Sequence, residues 1–159
     1  MYYYILIIAV VIIDQVSKYI VKTYMALHES ISIIENIFHV TYIHNYGAAF
    51  SSLEGQRWLL LVVTGIALLV FLVYMIVKKD SLHNVLRISM ALIIAGGVGN
   101  LIDRALYGYV VDFFDFRIWP IFNIADIAVC IGCALLIVYV LFIDRKEGKK
   151  ALKDNDGSK

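Results

Sequence analysis

Two aspartates, Asp112 and Asp126, bracket the segment VVDFFDFRIWPIFNIAD, and the second lies just inside an apolar run from Ile124 to Ile143. A carboxylate at membrane depth costs about 2.5–3.5 kcal/mol on insertion scales, so its presence asks for a reason. Two carboxylates that can meet are enough for acid/base hydrolysis with neither a metal nor a covalent nucleophile. Asn123 is suited to cap the helix that follows, which makes Asp126 its third residue. There the positive helix end favours an ionised carboxyl, while burial and a neighbouring carboxylate oppose it. A pair that meets would hold one proton between its members near neutral pH, with pKa values that belong to the pair. Asp115 is also within reach by sequence, and spacing does not choose between Asp112 and Asp115 as the partner of Asp126. The rival reading is a small proton-coupled transporter or channel lined by Asp14, Asp103 and Asp126. Against it, the charges cluster toward one end of the apolar runs, and the second run carries none.

Other polar groups could support such a site. Asp14 and Lys18 are spaced i, i+4 and share a helical face. They either neutralise each other so that both can enter a membrane, or turn Lys18 toward a polar substrate group. GGVGNLIDR, Gly96 to Arg104, combines glycines that allow close helix packing with Asn100, Asp103 and Arg104 at i, i+3 and i, i+4 spacing. That cluster is either a satisfied helix end or a support for the segment bearing Asp112. Other chemistries find little footing. Neither G-x-S-x-G nor HExxH occurs, and His28, His39, His44 and His83 are expected in loops. Cys130 and Cys133 form a CxxC within an apolar helix with no histidine nearby, which reads as two small buried residues. Neither a metal nor a cofactor is expected.

The elements that must position these groups are membrane helices. The chain has 159 residues, 62% of them hydrophobic and 17% charged, with a mean hydropathy of +0.82. Soluble domains are roughly 45–50% apolar and about 25% charged. A span needs about 20 mostly apolar residues, and four runs qualify: Tyr3 to Val21, Trp58 to Val77, Leu86 to Ile102, and Ile124 to Ile143. The first lacks the positive leader and cleavage site of a signal peptide and reads as a retained helix. Lys78, Lys79 and Arg87 follow the second run, and Arg145, Lys146, Lys149, Lys150, Lys153 and Lys159 follow the fourth. The positive-inside bias therefore puts both termini in the cytoplasm and the segments 23–57 and 103–123 on the other side. Within the first of these, Phe38, Val40 and Tyr42 alternate with His39, Thr41 and Ile43, which predicts one or two strands on the membrane surface. HNYGAAF, His44 to Phe50, then signals a turn. Pro120 keeps its surroundings non-helical. Residues 1–148 form one four-helix transmembrane domain, and the polar tail 149–159 is expected to be a disordered cytoplasmic extension. The net charge of +1 and the lack of a basic patch argue against nucleic acid.

Five blocks in order resemble the lipoprotein signal peptidase (signal peptidase II) family: Asp14-x-x-x-Lys18, Asn45-Tyr-Gly-Ala-Ala-Phe50, Gly99-Asn-Leu-Ile-Asp-Arg104, Val110-Val-Asp-Phe113, and Phe122-Asn-Ile-Ala-Asp126. The resemblance covers nearly the whole chain. It implies a mainly α membrane protein, with four transmembrane helices and a small β element on the extracytoplasmic surface. It also implies an aspartic endopeptidase of the bacterial cytoplasmic membrane. Its substrates are diacylglyceryl-modified prolipoproteins, cut just before the lipidated cysteine, beside membrane lipid and with no obligate protein partner. By resemblance the catalytic pair is Asp112 and Asp126. Asn45, Asn100, Arg104 and Asn123 match residues lining the site, and Asp14, Lys18 and Asp103 match its supporting network. Phe50 and its turn would help enclose the site. Arg117-Ile-Trp-Pro120 is shorter than the insert some relatives carry.

Overall fold

A computed structural model describes residues 2–47 and 55–144. Among the described residues there are four helices: α1 (Tyr2–Tyr24), α2 (Arg57–Val77), α3 (Asn84–Leu106) and α4 (Ile124–Val138), the last continued by a π-helical turn, Tyr139–Asp144. All four, α4 counted with its π-helical continuation to Ile143, are long and apolar enough to span a bilayer. A three-stranded antiparallel sheet of β1 (Ser30–Ile34), β2 (Phe38–Asn45) and β3 (Val110–Asp115) sits where α1 ends and α4 begins, with β2 in the centre.

The helix least apolar in sequence is the hub. The span window of α3 has a mean hydropathy of 1.8 against 3.0 for α2, yet half of it is buried, against 11–17% for the other three. In a bilayer, lipid satisfies apolar side chains as well as protein does, so small residues mark the packed face. On α3 these are Ala91, Ala95, Gly96 and Gly99, and on α4 Ala125, Ala128 and Gly132, all buried. A methyl group at Gly96 would collide with the Ala125 carbonyl oxygen and Val129. The buried Ser89 hydroxyl donates to the Gly132 carbonyl at 2.8 Å, a second α3–α4 tie.

The sheet follows from alternation. Ile43 pairs with Asp112, His44 with Val111, and Asn45 with Val110. Tyr42, Val111 and Phe113 turn to one face and pack with Val21 of α1. Ile43, Asn45, Val110 and Asp112 turn to the other. Asn36 takes φ 58° at the β1–β2 turn, a conformation asparagine tolerates.

Several expectations change. The first helix runs on to Tyr24, and the third runs from Asn84 to Leu106, where Asn84, Asp103 and Arg104 at its ends have partners inside the protein. A third strand, absent from the sequence reading, carries Asp112. His39 and His44 lie on β2 rather than in loops, and His83 caps α3, its Nδ1 accepting from the Val85 N–H at 3.2 Å. Cys130 and Cys133 are exposed free thiols rather than buried residues, because α4 turns Ala125, Ala128 and Gly132 inward instead. Ala48, Ala49 and Phe50 of the expected turn and the tail 149–159 lie outside the described residues.

Candidate active site

The pleat of β3 separates the two candidate partners of Asp126. Asp112 faces a cavity of about 440 Å³ that is also lined by Asn45, Asn100, Arg104 and Asp126. Asp115, three residues on and therefore on the opposite face, accepts from the Thr41 hydroxyl at 2.8 Å and pairs with Arg117 at 3.0 Å. Burial opposes its ionisation, but the Arg117 N–H, the Thr41 hydroxyl and the Arg117 guanidinium together hold it below the usual carboxylate range.

Asn123 joins the two cavity carboxylates. Its side-chain amide donates to Asp112 Oδ1 at 2.6 Å and its backbone N–H to Asp126 Oδ2 at 3.1 Å. Its own Oδ1 accepts from the Asp126 N–H at 3.0 Å, which completes a reciprocal cap at the start of α4. The remaining oxygen of each carboxylate meets a separate asparagine amide: Asp112 Oδ2 takes Asn45 Nδ2 at 2.9 Å, and Asp126 Oδ1 takes Asn100 Nδ2 at 2.8 Å. Asp112 is 1% exposed. Burial, and next the charge of Asp126, push its pKa up to about 7, against the downward pull of Asn45, Asn123 and Lys18. A carboxyl in that range can hold or release a proton near neutrality.

Each asparagine is itself aimed. Asn45 Oδ1 accepts from the Gly47 N–H at 3.0 Å, which turns the side-chain NH₂ toward Asp112. The Gly47 carbonyl in turn accepts from Arg104 at 2.6 Å, so the guanidinium holds the end of that turn. Arg104 Nε is buried and has no hydrogen-bond partner among the described residues. Asn100 Oδ1 accepts from Lys18 Nζ at 2.9 Å, which fixes the direction of the NH₂ that reaches Asp126.

Lys18 spends its other donors on Asp14 at 2.9 Å and Asp103 at 3.0 Å, all three side chains buried. Three donors thus meet three acceptors, the condition under which buried charges persist. The carboxylates then bind backbone: Asp14 Oδ1 accepts from the Ala125 N–H at 2.9 Å and Asp103 Oδ2 from the Val111 N–H at 3.1 Å. Asp14 therefore docks the start of α4 on α1, and Asp103 docks β3 on α3. Gly99 leaves the room, since a Cβ there would stand 2.5 Å from Asp14 Oδ2. The structure brings all nine sequence-derived residues into one connected polar network.

Sequence reading missed Gln15. Its amide bridges Asp14, the Gly99 carbonyl and Asp103, each at 3.1 Å. An amide beside Asp14 within an apolar run was the available signal. It also missed Arg57, which donates to the Arg104 and Ala105 carbonyls at 2.9 and 2.8 Å and so ties the start of α2 to the end of α3.

A multi-pass helical protein with two carboxylates facing one cavity is a membrane-embedded protein equipped for proton-transfer chemistry. Comparison with known proteins sharpens that class. Residues 6–142 match the family model described as Signal peptidase (SPase) II. The lipoprotein signal peptidase of Halothermothrix orenii is 47% identical over 86% of this chain and 93% of its own. That of Clostridioides difficile is 43% identical over 92% of this chain and 99% of its own. A bacterial membrane enzyme solved by the in meso method at 2.3 Å resolution superposes with a TM-score of 0.82, at 38% identity, over 87% of each chain. The chain belongs to the signal peptidase II family. It is a membrane hydrolase of that type, a protease of lipoprotein processing, and the transporter reading finds no support.

Proposed function

We propose that this chain is an aspartic endopeptidase in which Asp112 and Asp126 activate one water to cut diacylglyceryl-modified prolipoproteins just before the lipidated cysteine. The observation that carries the reading is the cavity-facing carboxylate pair, with one oxygen of each held by Asn123 and the other by its own asparagine amide. Asp112 holds the proton in this reading, since burial and the neighbouring charge of Asp126 raise its proton affinity. Asp126 takes a proton from the attacking water while the Asp112 carboxyl polarises and protonates the scissile carbonyl oxygen. The tetrahedral intermediate then collapses as a proton passes to the leaving amine. No acyl-enzyme forms. The scissile segment enters unwound, because a helical amide is tied into its own hydrogen bonds. The mostly apolar cavity wall, with Ile43, Val110, Pro120 and Val129, suits a lipid-bearing residue.

The lysines and arginines after α2 and α4 support a topology in the cytoplasmic membrane with both termini inside and the sheet outside. The exposed Ile31, Ile33, Ile34 and Ile37 of the β1–β2 hairpin suit contact with the outer leaflet. Purified protein should cleave a diacylated prolipoprotein and leave the unmodified one uncut. Asp112→Asn and Asp126→Asn should each abolish cleavage while the fold persists. Full activity in either variant would remove that residue from the mechanism.

A further inference from the structure

An aromatic cluster lies behind the catalytic face of the sheet, outside the polar network. His44 stacks on Tyr109 with ring centroids 3.6 Å apart and planes within 15°. The Tyr42 hydroxyl stands 2.8 Å from His44 Nε2. Tyr46 meets His44 and Tyr109 edge-on at 6.2 and 5.6 Å. Tyr109 continues the stack to Tyr107, whose ring lies under Lys22 Nζ at 3.2 Å. The cluster therefore joins the end of β2 to the turn before β3 and to the end of α1.

Its place in the pleat gives it a consequence. Asn45 is the last residue of β2, so the ladder no longer holds the chain beyond it. The residues on either side of it, His44 and Tyr46, both turn to the back face and are clasped on Tyr109. Asn45 itself turns forward to Asp112 Oδ2. Tyr109 immediately precedes Val110, the residue paired with Asn45, so the clasp fixes both strands at the point where the amide must reach the carboxylate.

We infer that His44 is a positioning residue for peptide hydrolysis, setting the Asn45 amide on Asp112 by stacking on Tyr109 from the opposite face of the sheet. The inference rests on the peptidase reading of the site. A residue acting only on stability would lower the amount of folded enzyme and leave the turnover of each folded molecule alone. A residue acting through Asn45 changes turnover.

The test uses purified full-length protein and a diacylated prolipoprotein. His44→Ala should lower kcat roughly tenfold, the scale of one aromatic stack, with KM changed less than about twofold. In an Asn45→Ala background the same change should have almost no further effect, since residues acting as one unit are not additive. The Asn45 hydrogen bond holds the Asp112 pKa down, so the limb of the pH–rate profile that reports Asp112 should move to higher pH in both single variants. His44→Phe, which keeps the stack, should recover most of the loss. Losses that multiply in the double variant, or a limb that stays put in His44→Ala, overturn the inference while an inactive Asp112→Asn leaves the peptidase reading standing. An active Asp112→Asn removes the reading and the inference together.

Discussion

Replacing Asp112 by Asn should stabilise the protein in alkali and destroy its activity, because the fold works against this carboxyl's ionisation. In the folded state the Asp112 pKa rises from 3.8 to about 7, first through burial and then through the charge of Asp126. At about 1.36 kcal/mol for each tenfold in proton affinity, holding it ionised costs the fold about 4 kcal/mol. The folded value lies above the unfolded one, so the stabilisation from the bound proton is complete below about pH 4, fades as pH rises, and is gone above about pH 7. Between about pH 5 and about pH 8.5 the parent loses about 3 kcal/mol through this group, and Asn loses none. Asn also gives something up. Both Asp112 oxygens accept from amide groups, so one of them replaced by NH₂ faces another donor. That costs about 1–3 kcal/mol at every pH. The variant should therefore match the parent near pH 5 and exceed it by about 1–3 kcal/mol near pH 8.5. Thermal unfolding of both proteins in detergent at the two pH values measures the difference, and a cleavage assay run alongside measures the lost activity. A stability difference that stays constant with pH, or that shifts against the variant in alkali, refutes the reasoning.

Lys18→Met should leave Asp14 and Asp103 buried without their cation and cost about 3–5 kcal/mol, read as a fall in unfolding temperature and in the yield of folded protein. Gly96→Ala should push α3 from α4 at the Ala125 carbonyl, costing about 1–3 kcal/mol and lowering kcat, because Asn100 and Asp126 sit on those two helices. Asp115→Asn should retain cleavage, because its side chain turns away from the cavity, and should cost about 1–3 kcal/mol of stability, because both of its oxygens accept hydrogen bonds and the new NH₂ would face a donor. Loss of cleavage in that variant, with the fold intact, would contradict the assignment of faces in β3.

The helices were legible because a bilayer imposes one rule, a run of about 20 apolar residues, and the sequence contains four. The cap at Asn123 was legible because capping is local, and Asp126 falls three residues on. Strand β3 was not. It borders apolar helices, its period is obscured by Phe113 and Phe114, and it becomes a strand by pairing with β2 some 70 residues earlier. The burial of Cys130 and Cys133 was misjudged for a related reason. Apolar character says that a residue belongs in the membrane, and only packing says whether lipid or protein covers it.

The sequence by itself determined the inventory of this protein: four spans, an asparagine-capped helix with an aspartate in its first turn, and a set of polar residues too costly in a membrane to be idle. Local rules of hydropathy, capping and spacing are enough for that, since each acts within a few residues. Tertiary structure decided which carboxylates face each other. Asp112 and Asp115 are equivalent by spacing to Asp126, and the pleat of β3 separates them, sending one to the cavity and the other to Arg117. It also decided that Lys18 reaches Asp126 through Asn100 and that Asn45 reaches Asp112 across the sheet. Those contacts join α1 to α3, α3 to α4, and β2 to β3, and no spacing along the chain encodes a distance between elements that only packing brings together.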